Sequence, residues 1–220
     1  MNTRAETGGV GMRRGRTRPL MVAAVAVLIV AMAWDTTVVK TGADEGAEAQ
    51  GFVAERFGIE QFTRIRESVT ERAVAAPMLA EAVLEDSAAA GEQYDVGEGF
   101  GPVVPVALEG TFEEGASGIY SLSVPGVPDE ITVRVQAGPA INGTDLRDAT
   151  GEIGFGDFTN QIEYQNAGAA INDAMKAEVL AAIDTGDLSG RQVSLTGVFK
   201  LINPRNWLIT PVSMDVEASP

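Results

Sequence analysis

The chain has 220 residues, 45% hydrophobic and 21% charged, an ordinary globular mix with a net charge of −15. Cysteine and histidine are both absent, which excludes disulfides, thiol nucleophiles, cysteine or histidine zinc sites, haem attachment and imidazole as a catalytic base. Only Glu6 and Asp35 of the 31 acidic residues precede position 41, whereas Arg4, Arg13, Arg14, Arg16, Arg18 and Lys40 of the 16 basic ones do. The body is therefore strongly acidic and repels phosphate backbones, so no nucleic-acid partner is expected.

Residues 1–19 form a basic head. Leu20 to Trp34 then reads LMVAAVAVLIVAMAW, without a charge. As a helix at ~1.5 Å per residue it would span roughly 22 Å, short of the ~30 Å hydrocarbon core. Two readings fit. A cleaved signal peptide would end at Ala31-Met32-Ala33. An uncleaved transmembrane anchor over 20–39 would complete its span with Thr36 to Val39, with Arg18 and Lys40 reaching the interfaces and Trp34 at the outer one. Both keep the arginines in the cytoplasm and export the body; the retained, single-pass anchor in the inner membrane is preferred. Residues 40–50, small and acidic, suit a tether.

From Gly51 the pattern turns helical. Phe62, Ile65, Val69 and Ala73 recur at spacings of three and four, extended by Phe52 and Ile59. A second helix follows Pro77, with Leu79, Ala82 and Val83 inward. Ala88 to Gly101 thins into alanine and glycine. Residues 51–97 read as a small helical subdomain.

Residues 98–217 change to a period of two. Val104, Val106, Leu108 and Phe112 mark one strand, broken by EEGASG. Tyr120, Leu122 and Val124 mark a second. Ile131, Val133, Val135 and Ala137 mark a third, with Thr132, Arg134 and Gln136 facing out. A helix with Ile171, Met175, Val179 and Ile183 inward follows, stopped by Gly186. Val193, Leu195, Phe199 and Leu201 form a fourth strand. Leu208 to Val216 forms a fifth, where Pro211 marks an edge or a bulge. Three strands, a helix and two strands is the order of an oligonucleotide/oligosaccharide-binding (OB) barrel. The expected fold is α+β: an OB-like five-stranded β-barrel with a helix between strands three and four, preceded by the helical subdomain and the membrane anchor.

The connection from Gly138 to Tyr164, about 27 residues, far exceeds the usual 4–6, and such loops are functional or disordered. It gathers Asn142, Thr144, Asp145, Arg147, Asp148, Asn160, Gln161, Glu163 and Tyr164, whose amides, carboxylates, guanidinium and ring could recognise a hydroxyl-rich ligand. Each also has a structural role. Asn142-Gly143 is a turn signal, Asn160 with Glu163 resembles a capping box, and Arg147 between two aspartates is a candidate ion pair. A second cluster, Asn203 to Trp207, joins the last two strands, where Trp207 either stacks on a ligand or plugs the barrel end. The oxygen-rich loop lacks calcium-loop spacing, and no nucleophile elbow, P-loop or dinucleotide fingerprint occurs. No catalytic residue, metal or cofactor is expected.

The segments WDTTVV, FVAERF, SGIYSLSV, VRVQAGPAINGTDLRDATG, FGDFTNQIEYQNAGAAIN and GVFKLINPRNWLITPV together resemble an uncharacterised bacterial family described as predicted periplasmic lipoproteins. The resemblance implies a helical subdomain plus an OB-like barrel, an envelope location, and gene neighbourhood with sugar-uptake ABC transporters. That family has no established activity, so no catalytic residue is carried over. This chain departs from lipoproteins in having no cysteine to acylate, with Trp34-Asp35 where a lipobox would end. The functional expectation is a membrane-anchored periplasmic accessory or binding protein whose partners are the inner membrane and a sugar ABC transporter or its substrate. The alternative is a structural cell-envelope protein without a small-molecule ligand. A glycan hydrolase using Asp145 or Asp148 comes third.

Overall fold

The computed structural model describes residues 52–97 and 101–217, which form one compact unit. The basic head, the anchor segment and the tether lie outside the described residues. Among those described, no helix is long and apolar enough to cross a membrane.

Helix α1 (Ala54–Arg72) buries Phe62, Ile65 and Val69 as their spacing requires. Ile59, expected on that stripe, is half exposed. The residue that meets the neighbouring layer is Gly58, where an added Cβ would fall 2.4 Å from the Ala170 carbonyl oxygen. The missing side chain lets the two helix backbones touch and rotates the stripe by one position. Ala73 is extended, not helical, and leads into the two-residue strand β1 (Val74–Ala75). Helix α2 (Ala76–Glu85) carries Pro77 in its first turn and buries Leu79, Ala80 and Val83. Helix α3 (Ser87–Tyr94) occupies the alanine-rich stretch that carried no helical expectation. Asp86 caps it, accepting from the Ala88 and Ala89 amides at 3.0 and 3.1 Å, and alanine needs no amphipathic pattern to be helical.

The strands are β2 (Val103–Ala116), β3 (Ile119–Ser123), β4 (Thr132–Gln136), β5 (Gln192–Lys200) and β6 (Asn206–Val216). Between β4 and β5 come the short helix α4 (Asp145–Asp148) and helix α5 (Gln161–Met175). Hydrogen-bonded neighbours run β2-β3-β4-β6-β5, and β5 pairs again with β2, so the ladder closes on itself. The β4–β6 pair is parallel and the other four in the ring are antiparallel, while β1 adds alongside β2 in parallel. The predicted order of three strands, a helix and two strands is present.

Three details differ from expectation, and the choice left open at Pro211 is resolved. Strand β2 runs through EEGASG to Ala116, because Gly115 and Ala116 pair with Tyr120 and Ile119 of β3 across a bulge. The turn is Ser117-Gly118, both at positive φ, and a Cβ on Gly118 would collide with the Gly138 carbonyl. The alternation also fails over Val103 to Val106, all buried, because α1 and α3 pack on β2. Helix α5 ends in a widened turn, Lys176–Leu180, well before Gly186. One extra residue per turn there takes Ile183 off the inner face and leaves it half-buried. Pro211 marks a bulge, not an edge: β6 lies between β4 and β5, and the register steps from Thr196–Ser213 to Gly197–Pro211.

Candidate functional site

The long connection is folded, not featureless. It starts at Gln136, the last residue of β4, which was expected to face out but is 2% exposed. Its amide finds every partner inside. Nε2 donates to the Asn142 carbonyl at 3.1 Å and to Thr210 Oγ1 at 2.8 Å, and Oε1 accepts from the Asn142 amide at 3.0 Å. A buried amide so satisfied carries little penalty and fixes where the chain returns. The expected turn follows at Asn142-Gly143, with Gly143 at φ +100° and its carbonyl accepting from Asn172 Nδ2 at 3.1 Å.

Helix α4 then presents Thr144, Asp145, Arg147 and Asp148 to β5 and α5. Asp148 is 4% exposed and both its oxygens are taken. Oδ1 accepts from Arg147 Nε at 2.9 Å and pairs with Nη2 at 2.8 Å. Oδ2 accepts from Lys200 Nζ at 2.8 Å and Thr144 Oγ1 at 2.7 Å. Lys200 also donates to Thr144 Oγ1 at 2.9 Å and lies 3.8 Å from Asp145 Oδ1. Arg147, 8% exposed, rests its guanidinium 3.8 Å from the centroid of the Tyr164 ring. Tyr164 is itself held edge-on to Phe155 and tilted against Phe158.

The two carboxylates are driven apart by this arrangement. Burial pushes Asp148 upward, but the hydrogen bonds from Lys200, Thr144 and Arg147 outweigh it and hold the group below the usual carboxylate range. Burial also pushes Asp145 upward, to about 6; the Lys200 charge opposes that shift and the Asp148 charge adds to it. One lysine serves both acids, and Asp148 takes its hydrogen bond.

Other predicted residues fall elsewhere. Asn160 caps α5, its Oδ1 accepting from the Glu163 amide at 3.0 Å. Glu163 returns a bond not to Asn160 but to the Thr159 amide, at 3.0 Å, so the capping box is displaced by one residue. Gln161 is exposed on the first turn of α5. Trp207, offered as a ligand-stacking candidate, is corrected to a packing residue. It is fully buried, stacks on Phe199 with centroids 4.8 Å apart, and donates Nε1 to the Pro204 carbonyl at 3.0 Å. A ring with no exposed face has none to offer a ligand.

Above the ionic cluster a cleft of about 270 Å³ opens between the loop and α5. Asn142, Thr144 and Arg147 line it from the loop; Gln165, Gly168, Ala169, Asn172 and Asp173 line it from one face of the helix. Asp145 and Asp148 are not part of that lining; Asp148 reaches it through its bonds to Arg147 and Thr144. The sequence reading missed Gln136, Asn172 and Lys200. The signal for Asn172 was a polar residue on the inner face of α5 one position after Ile171; Lys200 carried none, being 52 residues from the acid it serves. Among the described residues no group of three or more acidic side chains is placed to hold a metal.

Five cyclically paired strands with a helix between the third and fourth, joined to packed helices, define an α+β protein of the OB class. A crystal structure described as an OB-fold protein from Thermotoga maritima is similar over 76% of this chain and 100% of its own, with a TM-score of 0.59 at 18% identity. Among curated proteins none matches. The chain belongs to the family described as predicted periplasmic lipoprotein (DUF2291), which matches residues 22–215, as the sequence motifs implied.

Proposed function

We propose that the protein is a periplasmic accessory or binding protein held at the inner membrane by its own apolar segment, and that its cleft takes a small hydroxyl-rich solute for a carbohydrate ABC transporter. The family description supports a membrane-associated periplasmic body. The chain has no cysteine to carry a lipid, which favours a retained protein anchor. Intact-mass measurement of membrane-extracted protein is expected to find residues 1–33 present; a chain beginning at Trp34 would refute the anchor.

The observation that carries the binding reading is that one cleft is lined by the half-fixed pair Arg147 and Asn172, by the exposed Asn142 and Gln165, and by Gly168 and Ala169. A few fixed polar groups around a small apolar floor are what orient a polyol. A ligand that binds only the native state raises its melting temperature, so a thermal-shift screen of the full chain in detergent against sugars and envelope glycans tests the reading. Gly168→Met fills the cleft, its Cβ meeting Arg147 at ordinary van der Waals distance, and should abolish the shift. A second reading, a structural envelope protein, is favoured by the saturation of Asp148, since docking the loop onto the strands needs nothing more. It gains if no member of the screen moves the melting temperature.

A further inference from the structure

Two side chains lining the cleft are about nine-tenths buried, yet each keeps one polar atom without a partner among the described residues. Arg147 spends Nε and Nη2 on Asp148, which leaves Nη1 unpaired. Asn172, 8% exposed, donates Nδ2 to the Gly143 carbonyl, which fixes its amide and turns Oδ1 the other way with nothing to accept from. Neither atom is sealed in: the described buried side-chain atom that is both enclosed and partnerless is Arg134 Nε. The opening both side chains share is the cleft. Both atoms are therefore open to a ligand in the cleft, one as a donor and the other as an acceptor.

Both side chains line one stretch of the cleft. A Cβ on Gly168 would stand 3.8 Å from Arg147 Nη1. Asn172 lies one turn further along the same face, where Cβ positions are ~6 Å apart. A donor and an acceptor presented to one cleft suit a ligand that accepts at one point and donates at the next, as adjacent hydroxyls do. Charge decides the class further. The Arg147 charge is already matched by Asp148 and that of Lys200 by Asp148 and Asp145. Asp173, at the cleft, is paired with Lys176 at 2.6 Å. Among the described residues the cations near the cleft are thus each already matched by an aspartate. A carboxylate or phosphate there would face the Asn172 Oδ1 acceptor without a cation of its own. Resting on the ligand-binding reading above, we propose that the cleft selects the vicinal diol of an uncharged sugar or polyol and discriminates against anionic sugars.

The test is calorimetric titration of the full chain in detergent with neutral hexoses, pentoses and inositol, with the matching uronates, and with inorganic phosphate. A neutral probe is expected to bind at least about tenfold more tightly than its uronate, because the carboxylate gains no partner. Arg147→Lys, which keeps the charge facing Asp148 but has no Nη1, should weaken the neutral probe by a similar factor. Gly168→Met should abolish binding while the urea midpoint stays at or above that of the wild type. A uronate or phosphate that binds more tightly than every neutral probe overturns this inference and leaves the binding reading standing. Neutral binding that survives Gly168→Met overturns the location. No binding by any probe overturns both.

Discussion

Asp145 and Asp148 lie on one turn of helix and share one lysine, yet they respond to pH in opposite senses. Asp145 has an ordinary value of 3.8 and a folded value of about 6, so between those limits the folded chain holds its proton more tightly than the unfolded chain does. Stability therefore falls as pH rises through that window, and the whole cost, on the order of 3 kcal/mol, is present above it. Asp148 is shifted the other way: its contribution is present above pH 3.8 and is lost as pH falls through its lower folded value. The two effects occupy different windows. Asp145→Asn is expected to match the wild type in urea midpoint at pH 4 and exceed it at pH 7; parallel curves across that range would show that Asp145 is not the group responsible. Arg147→Ala is a separate case, because it strands a buried carboxylate. It should cost about 3 kcal/mol in chemical denaturation, and a midpoint unchanged from wild type would mean that Asp148 finds water in place of the guanidinium. The Asp-Leu-Arg-Asp spacing made the local pair legible in the sequence. The bond from Lys200 was not, since strand pairing brings that residue to the loop.

At the level of elements, two glycines in helices make the same point with opposite signs. Alanine for glycine inside a helix ordinarily stabilises by ~0.5–1 kcal/mol. Gly168 should follow that rule, because its added Cβ would meet only Arg147 Cδ and Nη1, at 3.7 and 3.8 Å. Gly58 should break it, since its Cβ would press on the Ala170 backbone at 2.4 Å where α1 crosses α5. Gly58→Ala is expected to destabilise by about 1–3 kcal/mol and Gly168→Ala to stabilise, both read from urea midpoints. Equal shifts in the two variants would mean that the α1–α5 crossing is looser than described. In the sequence nothing distinguishes the two, since each is a glycine inside a helical stretch. Helix existence was legible from apolar spacing in α1, α2 and α5, whereas α3 was missed because alanine carries helix propensity without an amphipathic stripe.

For the whole molecule, the helices from α1 to α3 pack directly on strands, and β1 extends the same sheet. Phe62, Ile65 and Val69 of α1 belong to one core cluster with Val104, Phe199 and Ile209 of the strands. Shared core surface makes their stabilities inseparable, so the described body should unfold in a single transition. Coincident near- and far-ultraviolet dichroism, with equal calorimetric and van't Hoff enthalpies, is the expected result. Helical signal lost at a lower temperature than the strand core would instead show that residues 51–97 behave as an independent subdomain.

The order of the five ring strands and of helices α1, α2 and α5, the turn at Asn142-Gly143 and the cap at Asn160 were determined by the sequence alone, because each depends on spacing or on bonds within a few residues. Membership of the family was equally legible, in long motifs after the basic head. Ring closure from β5 to β2, the inward Gln136, the buried Trp207 and the pairing of Lys200 with Asp148 were decided only by the tertiary structure. Each depends on which distant surfaces meet, and a period of two or of 3.6 says which face is apolar but not what will cover it. The same holds for the cleft: its loop amides stood out in the sequence, but Asn172 and Gly168 became part of it only when α5 was laid against the loop.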